Sequence, residues 1–194
     1  MILTRASLGG KDAVRTVWEH ASSRLGLLTS ASEGAPNNVL AVEWISHVQF
    51  TPPLLMVSLV DGFHSASMVS QSRQFGLCFA SDRQRELISA VGTVSGASSD
   101  KFAEIPALQP VGTAESSAAA GLYEPGHSIS APMMLGGVMS CECIVRKTLQ
   151  LDTSTVYVGE VVYAKVWKNR MPLGYHRGAT FHYGDVLETE AELG

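Results

Sequence analysis

Apolar stretches of strand length alternate with short groups of turn-forming residues along most of the chain. Those rich in branched and aromatic residues are predicted to be strands, at residues 25–29, 38–50, 54–60, 75–80, 136–151, 156–167 and 179–183. Proline donates no hydrogen bond to a sheet, so Pro52 and Pro53 are expected to end the second of them. Gly159 is predicted to mark a bulge.

Helices are fewer and shorter in the pattern. Residues 12–25 place apolar side chains on one helical face, and residues 65–73 read as a short helix with Ser65 as its N-cap. A further helix starts at Ser81 or Asp82 and runs to about residue 91, with Ser81 and Gln84 at capping-box spacing. Residues 101–104 predict a single helical turn, and residues 108–130 predict a loop or lid.

The order of these elements predicts the fold class. Strands outnumber helices and follow one another as neighbouring hairpins, which favours a mostly β, antiparallel barrel with a few covering helices over a doubly wound parallel sheet. The chain has neither a Gly-x-Gly-x-x-Gly nor a Gly-x-Ser-x-Gly motif. Its 194 residues suit one domain, with a core at about 13–184 and an acidic tail at 185–194.

Charge and cysteine content narrow the classes of partner. The net charge is −4, and the tail carries four of the 18 acidic residues, so the rest is neutral, with 14 acidic against 14 basic residues. Neither nucleic acid nor an anionic membrane is therefore an expected partner. Three cysteines and no signal peptide favour a reducing cytoplasm. Charged residues make up only 16%, which hints at surface hidden in an oligomer.

Several polar residues could carry chemistry, and each also has an ordinary structural explanation. Asn38 and Trp44 share one strand face and could hold a heteroaromatic ring, or be a turn amide and a core side chain. Ser65, with Ser67, could bind an anion at a helix start, or simply cap it. Lys101 follows a small-residue loop and could close over an anionic ring, or be solvated.

The remaining candidates carry weaker signals. Cys141 and Cys143 share a strand face, but a Cys-x-Cys pair within a strand is a poor chelate, and buried inert thiols are favoured. A basic group could hold a phosphate or be a solvated strand end; its members are Lys165, Lys168, Arg170 and Arg177. His176, His182 and Tyr183 crowd the last strand without a recognisable catalytic spacing.

Taken in order, several segments resemble the flavin reductase-like family, and its flavoredoxin branch in particular. They are residues 38–44, the Pro52-Pro53 strand end, Ser65 before Phe75, the loop at 94–102, Cys143 and residues 158–161. The resemblance covers about residues 13–184. It implies an FMN-binding split β-barrel that forms a homodimer with flavin at the subunit interface.

The resemblance also implies which residues contact the flavin. Asn38 and Trp44 would touch it from the long strand, Ser65 would lie near the phosphate, and Lys101 would reach the ring and stabilise its reduced form. Phe181 or Tyr183 would cover the ring. The full implied set is Asn38, Leu40, Ala41, Val42, Trp44, Ser65, Ser67, Lys101, Phe181 and Tyr183.

Two positions depart from the family pattern. Many relatives have a histidine, often near flavin or nicotinamide, where this chain has Ser154, and His176 or His182 could replace it in space. Glu43 stands where small residues are common. A carboxylate facing flavin would disfavour the anionic reduced ring, so Glu43 is expected to point away.

Three functional hypotheses follow, in order of preference. The first is an NAD(P)H-dependent flavin oxidoreductase that uses FMN, or else FAD, with NADH or NADPH as cosubstrate. The second is a flavoredoxin-type electron carrier with tightly held FMN and a protein redox partner. The third is a barrel that binds another ligand or a metal without redox chemistry.

Overall fold

The computed structural model describes residues 11–111, 121–176 and 179–182. Its helices are α1 (Lys11–His20), α2 (His64–Ser72), α3 (Arg85–Thr93) and α4 (Lys101–Glu104). Its strands are β1 (Ser23–Arg24), β2 (Gly26–Ser30), β3 (Asn38–Val42), β4 (Ile45–Gln49), β5 (Leu54–Val60), β6 (Gln74–Phe79), β7 (Leu108–Pro110), β8 (Gly121–Glu124), β9 (Met133–Met134), β10 (Met139–Gln150), β11 (Ser154–Val166), β12 (Leu173–His176) and β13 (Ala179–His182). No helix within these ranges has the length and apolar composition of a membrane-spanning segment.

The main sheet has seven strands in the order β3-β2-β6-β10-β11-β5-β4, and every neighbouring pair is antiparallel. Its two edge strands, β3 and β4, are consecutive in the chain and are joined by Glu43 and Trp44 alone. Two residues span only about 10 Å, so the sheet must curl until its edges approach each other. Ser58 N donates to Trp44 O at 3.0 Å, which extends the β4–β5 ladder by one residue into this connection. The predicted antiparallel class is confirmed, and the curled sheet is consistent with a split barrel.

The barrel interior holds the main core. The inward residues of β5 alternate with half-buried ones, and they pack with the β6 and β10 side chains around Phe75, which is fully buried. Gly159 on β11 makes room for this ring, since a Cβ there would lie 2.7 Å from Phe75 Cζ. A second core lies outside the barrel, where α3 covers β3.

Most predicted elements are present, with three corrections. The helix predicted at residues 12–25 ends at His20, because Ser23 and Arg24 pair with β12. The strand predicted at residues 38–50 is two strands, because its halves join opposite edges of the sheet. Ser65 is not an N-cap: α2 begins at His64, and its N-cap residue, Phe63, makes no side-chain capping bond.

Other local predictions are confirmed. Ser81 and Gln84 form the expected capping box, which opens a short 3₁₀ turn (Asp82–Gln84) before α3. The long hairpin is present as β10 and β11. Its register shifts beside Gly159, where the extra residue lies on β10 between Val145 and Lys147. A further correction concerns residues 108–130, which were predicted to be a loop or lid: β7 and β8 lie there and pair with each other, and 112–120 are outside the described residues.

Candidate functional site

A cavity of about 150 Å³ lies where the edges of the curled sheet approach each other. This split cavity is lined by Leu40, Ala41, Val42, Glu43, Trp44, Ser58, Leu59, Val60 and Phe63. One wall is therefore the edge strand β3 and the other is β5. The walls are mostly apolar, and Phe63 stands 48% exposed at the margin. Such a slot suits a flat ring better than a strongly solvated ligand.

The backbone of β3 supplies hydrogen-bonding groups to this slot. Because β3 is an edge strand, its outer N–H and C=O groups have no strand partner. Val39 O points outward, since it accepts from Lys101 Nζ. Backbone groups of alternate residues share a side, so the N–H and C=O of Ala41 also point outward, towards the split cavity.

A second cavity, of about 360 Å³, continues from the first past Trp44. This Trp44 cavity is lined by Ser22, Ser23, Arg24, Glu43, Trp44, Ile45, Met56, Ser58 and Val156. Trp44 is 44% exposed, so part of its indole surface is accessible to a ligand in either cavity. The sequence prediction that Trp44 offers a flat surface therefore agrees with its place in the fold.

Glu43 lines both cavities, and the peptide that carries it bridges the two sheet edges. Its carboxylate accepts a hydrogen bond from Ser23 Oγ at 3.2 Å, on the wall of the Trp44 cavity. Arg24 lines the same cavity and brings a positive charge to it. That Glu43 points away from a bound flavin stays a prediction.

Asn38 and Ser65 form a buried pair behind the start of β3. Asn38 Nδ2 donates to Ser65 Oγ at 2.8 Å, and both residues are at most 3% exposed. Asn38 Oδ1 has no hydrogen-bond partner among the described residues. Gly96 packs against this oxygen so closely that a Cβ there would lie 2.2 Å away. The loop that contains Gly96 therefore covers the Asn38 side chain and is in direct contact with it.

Ser67 lies two residues further along α2, about half a turn away, and is exposed. Its hydroxyl accepts from Gln71 Nε2 at 3.2 Å, which is an ordinary contact on the helix surface. Ser65 and Ser67 are therefore in different environments, one buried and one open to solvent. Neither lines the split cavity or the Trp44 cavity.

Lys101 is buried, at 2% exposed, and its ammonium contacts backbone. Its Nζ donates to Val39 O and to Val91 O, each at 2.9 Å, which ties β3 to the end of α3. Burial lowers the pKa of Lys101 below its ordinary value of 10.5. The carboxylate of Asp100 caps α4 through the amides of Phe102 and Ala103 and thereby fixes the start of the helix that carries Lys101. Lys101 therefore meets β3 on its outer edge, two residues along the strand from Ala41.

Phe181 lies on the small sheet of β1, β12 and β13 and is not among the residues that line the split cavity or the Trp44 cavity. The strand register places Arg24, Gly174 and Phe181 in one row across this sheet, and directly paired residues share a face. The Phe181 ring lies over Gly174, where a Cβ would be 2.7 Å from Cζ. Phe181 therefore lies on the same sheet face as Arg24, whose side chain lines the Trp44 cavity. Tyr183 falls outside the described residues.

His176 shares this sheet face and meets the Phe181 ring edge-on, with centroids 6.5 Å apart. Its Nδ1 is buried without a hydrogen-bond partner among the described residues. Ser154, at the position of the family histidine, begins β11 and pairs with Val60, which lines the split cavity. His176 therefore lies beside the Phe181 ring. Arg177 lies outside the described residues.

The cysteines lie in the barrel core. Cys141 and Cys143 are free thiols whose sulfurs are 3.9 Å apart. The hydrogen bond with Cys141, followed by burial, raises the pKa of Cys143, and burial raises that of Cys78 to about 11. Groups of three or more metal-ligating side chains do not occur in residues 11–111, 121–176 and 179–182.

These features fit a flavin as a bound group. The split offers an apolar slot, the free edge of β3, an accessible indole and, nearby, the unpaired Oδ1 of Asn38. A tricyclic ring with polar atoms along one edge needs this combination of flat apolar walls and backbone hydrogen bonds.

Comparisons with known proteins agree with this fit. The model of a family described as flavin reductase like domain matches residues 18–184. The fold resembles the NADH:FAD oxidoreductase SgcE6 of Streptomyces globisporus C-1027, with a TM-score of 0.79, 14% identity and coverage of 95% of this chain and 98% of that one. It also resembles a flavoredoxin from Methanosarcina acetivorans, with a TM-score of 0.72, 21% identity and coverage of 87% and 89%.

A third similar structure is BorF, the flavin reductase component of a bacterial two-component tryptophan halogenase. Its TM-score is 0.73 at 15% identity, over 91% of this chain and 100% of that one. The comparison with curated protein sequences gave no match. The family match spans 167 of 194 residues. The chain therefore belongs to the flavin reductase-like family.

Proposed function

We propose that this protein is a flavin oxidoreductase that passes a hydride from NADH or NADPH to flavin, with FMN as the preferred flavin and FAD as the alternative. The observation that carries the proposal is the split cavity, where the free edge of β3 faces apolar walls next to Trp44. When bound, the flavin supplies the hydride-accepting ring, and the protein binds and orients it.

Several residues along the split cavity and the Trp44 cavity have proposed roles in binding the flavin. The outward backbone N–H and C=O of Ala41 would hydrogen-bond the polar edge of the ring, and Leu40 and Val42 would line the slot on either side of it. Trp44 would limit the ring at the end of the slot, and Phe181 or Tyr183 would cover it. Ser65 and Ser67, at the start of α2, would lie towards the phosphate. The dipole of α2 adds a weak attraction for that anion.

Asn38 and Lys101 have supporting roles in this proposal. Asn38 keeps one amide oxygen unpaired beside the Ser-Gly loop, ready to bond a ligand if that loop shifts. Lys101 holds β3 through the carbonyl of Val39, so it sets the position of the strand that the ring would contact. Lys101 would then stabilise reduced flavin mainly by positioning β3. The positive charge of its ammonium would add a weaker attraction from a distance.

A flavin titration tests the proposal. FMN and FAD are titrated into the wild type, Trp44→Ala and the control Trp18→Ala, and flavin fluorescence is recorded. Trp18 is 59% exposed and lines neither cavity, so its loss should leave affinity unchanged. Trp44→Ala should weaken binding at least about fivefold, since an aromatic contact is worth about 1 kcal/mol beyond its buried area. Equal affinities in all three proteins would refute the assignment.

The second candidate is a flavoredoxin-type electron carrier. Ser154 stands at the position of the family histidine, and one similar structure is a flavoredoxin. A carrier would hold FMN through many cycles and exchange electrons with a protein partner. Retention of flavin through gel filtration, together with slow oxidation of added NADH and NADPH, would favour this candidate over the first.

A homodimer in a reducing cytoplasm completes the proposal. Edge strand β4 carries Val48, 47% exposed, and is followed by Phe50, 99% exposed, so a second copy could cover this apolar surface. The three thiols are free and buried, as a reducing compartment would keep them. Light scattering after gel filtration should give twice the 20.7 kDa mass of the chain. Phe50→Ser should shift the protein towards monomer, and a monomeric wild type would refute the dimer.

A further inference from the structure

A third cavity, of about 460 Å³, opens at one end of the barrel, and the proposed function gives it no role. Phe79 is the last residue of β6 and pairs with Met139, the first residue of β10, so the cavity lies where these two strands meet the barrel end. Its volume is within the roughly 300–1,000 Å³ of pockets that bind small molecules. This Phe79 cavity is lined by Arg24, Leu25, His47, Phe79, Ala80, Val138, Met139, Pro172 and Leu173.

The walls of the Phe79 cavity are apolar and are fixed by backbone hydrogen bonds. Leu25 N donates to Leu173 O at 3.1 Å, Leu173 N to Ala80 O at 2.9 Å, and Ala80 N to Leu25 O at 2.9 Å. These bonds close three separate segments into one wall. The rings of His47 and Phe79 are parallel, with planes at 7° and centroids 6.0 Å apart. The cavity is therefore preformed, with aromatic side chains on one side.

Arg24 brings a positive charge to the solvent side of this cavity. Its Nη1 is 3.4 Å from His47 Nδ1. A guanidinium carries only donors, so the imidazole nitrogen accepts, and this contact leaves the other N–H groups of Arg24 unused. Within residues 11–111, 121–176 and 179–182, no carboxylate forms a salt bridge with Arg24. Glu43, on the neighbouring Trp44 cavity, is hydrogen-bonded to Ser23 instead.

We propose that the Phe79 cavity binds a small aromatic carboxylate, an organic acid with a planar apolar body. The carboxylate would pair with the Arg24 guanidinium in a bidentate manner. The ring would lie against Phe79 and Met139, because a thioether makes favourable contacts with aromatic rings. One guanidinium offsets the single charge of a carboxylate, whereas a phosphate monoester carries about two. The inference goes beyond the proposed function and does not depend on it.

The Phe79 cavity is separate from the surface that is proposed for the homodimer. His47 pairs with Leu55, which is buried in the barrel core, and directly paired residues share a face of the sheet. His47 therefore lies on the core-facing side of β4. Val48 and Phe50, which a second copy would cover, do not line this cavity.

Ligand titrations on the intact protein test the site. The probes are 2-naphthylacetate, its uncharged analogue 2-naphthylacetamide and the aliphatic acid octanoate, each followed by ligand-observed NMR. They are titrated into the wild type, Arg24→Gln, Val138→Phe and the control Arg85→Gln. Arg85 is exposed and lines none of the three cavities. The urea midpoint of each variant checks that it is folded.

The expected result follows from the charge and the shape of the cavity. A charge-assisted hydrogen bond is worth about ten- to one-hundredfold in affinity. Arg24→Gln should weaken binding of 2-naphthylacetate by that factor, and the wild type should discriminate against the amide to a similar extent. Val138→Phe fills part of the cavity and should also weaken binding of the acid. Octanoate should bind the wild type more weakly than 2-naphthylacetate, and Arg85→Gln should match the wild type.

Three results would overturn the proposal. The first is 2-naphthylacetate affinity that is absent from the wild type, or equal in the wild type, Arg24→Gln and Val138→Phe. The second is an affinity for the amide or for octanoate that equals that of the aromatic acid. The third is displacement of the acid by NADH, which would assign the cavity to the cosubstrate. None of the probes is a flavin, so failure of this site and failure of the flavin oxidoreductase are distinguishable.

Discussion

Replacement of Lys101 by methionine separates support of β3 from direct contact with a ligand. Methionine keeps much of the length and apolar volume of the side chain but removes the ammonium. Two buried carbonyls, those of Val39 and Val91, would lose their donor, each at 2.9 Å in the native protein. A buried acceptor left without a partner costs about 1–3 kcal/mol. The substitution also removes the free-energy cost of burying an ammonium, and this offsets part of the loss.

The net expectation is a free energy of unfolding lower by about 3 kcal/mol. With a urea m-value of about 2 kcal/mol/M, the unfolding midpoint should fall by about 1.5 M. Lys147→Met is the matched control, because Lys147 is exposed on β10. Its midpoint should stay within about 0.25 M of the wild type, since surface substitutions usually change stability by less than about 0.5 kcal/mol.

The dependence on pH adds a second readout. Because burial lowers the pKa of Lys101 below 10.5, the unfolded chain binds more protons than the native one between the lowered pKa and 10.5. Stability of the wild type relative to Lys101→Met should therefore rise as the pH increases through this window. If the two proteins unfold at the same urea concentration, Lys101 does not make these bonds, and direct contact with the ligand becomes the better explanation.

Three further predictions concern the packing around the site. Ser65→Ala should lower the free energy of unfolding by about 1–2 kcal/mol, because Asn38 Nδ2 loses its buried acceptor, while Ser65→Thr should retain it; equal urea midpoints for the two variants would contradict the pairing. Gly159→Ala should cost about 1–3 kcal/mol, because the new methyl group meets Phe75; an unchanged thermal midpoint would contradict that contact. Burial raises the pKa of Cys78 to about 11, so a thiol reagent at pH 8 should label the protein only after denaturant is added; rapid labelling of the native protein at this cysteine would refute it.

Structural features that depend only on residues close together in the chain were predicted from local sequence patterns. The capping box of Ser81 and Gln84 spans three positions, and the periodicity of β10 and β11 is continuous over a dozen residues each. Both were predicted correctly. The strand at 38–50 was predicted as one element, because its apolar pattern continues through Glu43 and Trp44. Only the order of strands in the sheet shows that the chain changes edges there.

Long-range contacts explain the remaining differences. Ser65 has the composition of an N-cap, but its hydroxyl is bound to Asn38, 27 residues earlier. Lys101 follows a flexible loop and could have been solvated, yet its ammonium meets a carbonyl 62 residues away. Glu43 lies in a connection of two residues across the split, and its carboxylate is bound to Ser23 Oγ, 20 residues earlier. Spacing along the chain cannot predict such contacts.

The most direct test of the central proposal is an anaerobic visible spectrum of the purified protein with FMN, recorded before and after addition of NADH or NADPH. The account predicts a perturbed flavin band on binding and its rapid bleaching by one of the two nucleotides. A spectrum identical to that of free FMN, with no bleaching above the rate for flavin alone, would contradict it.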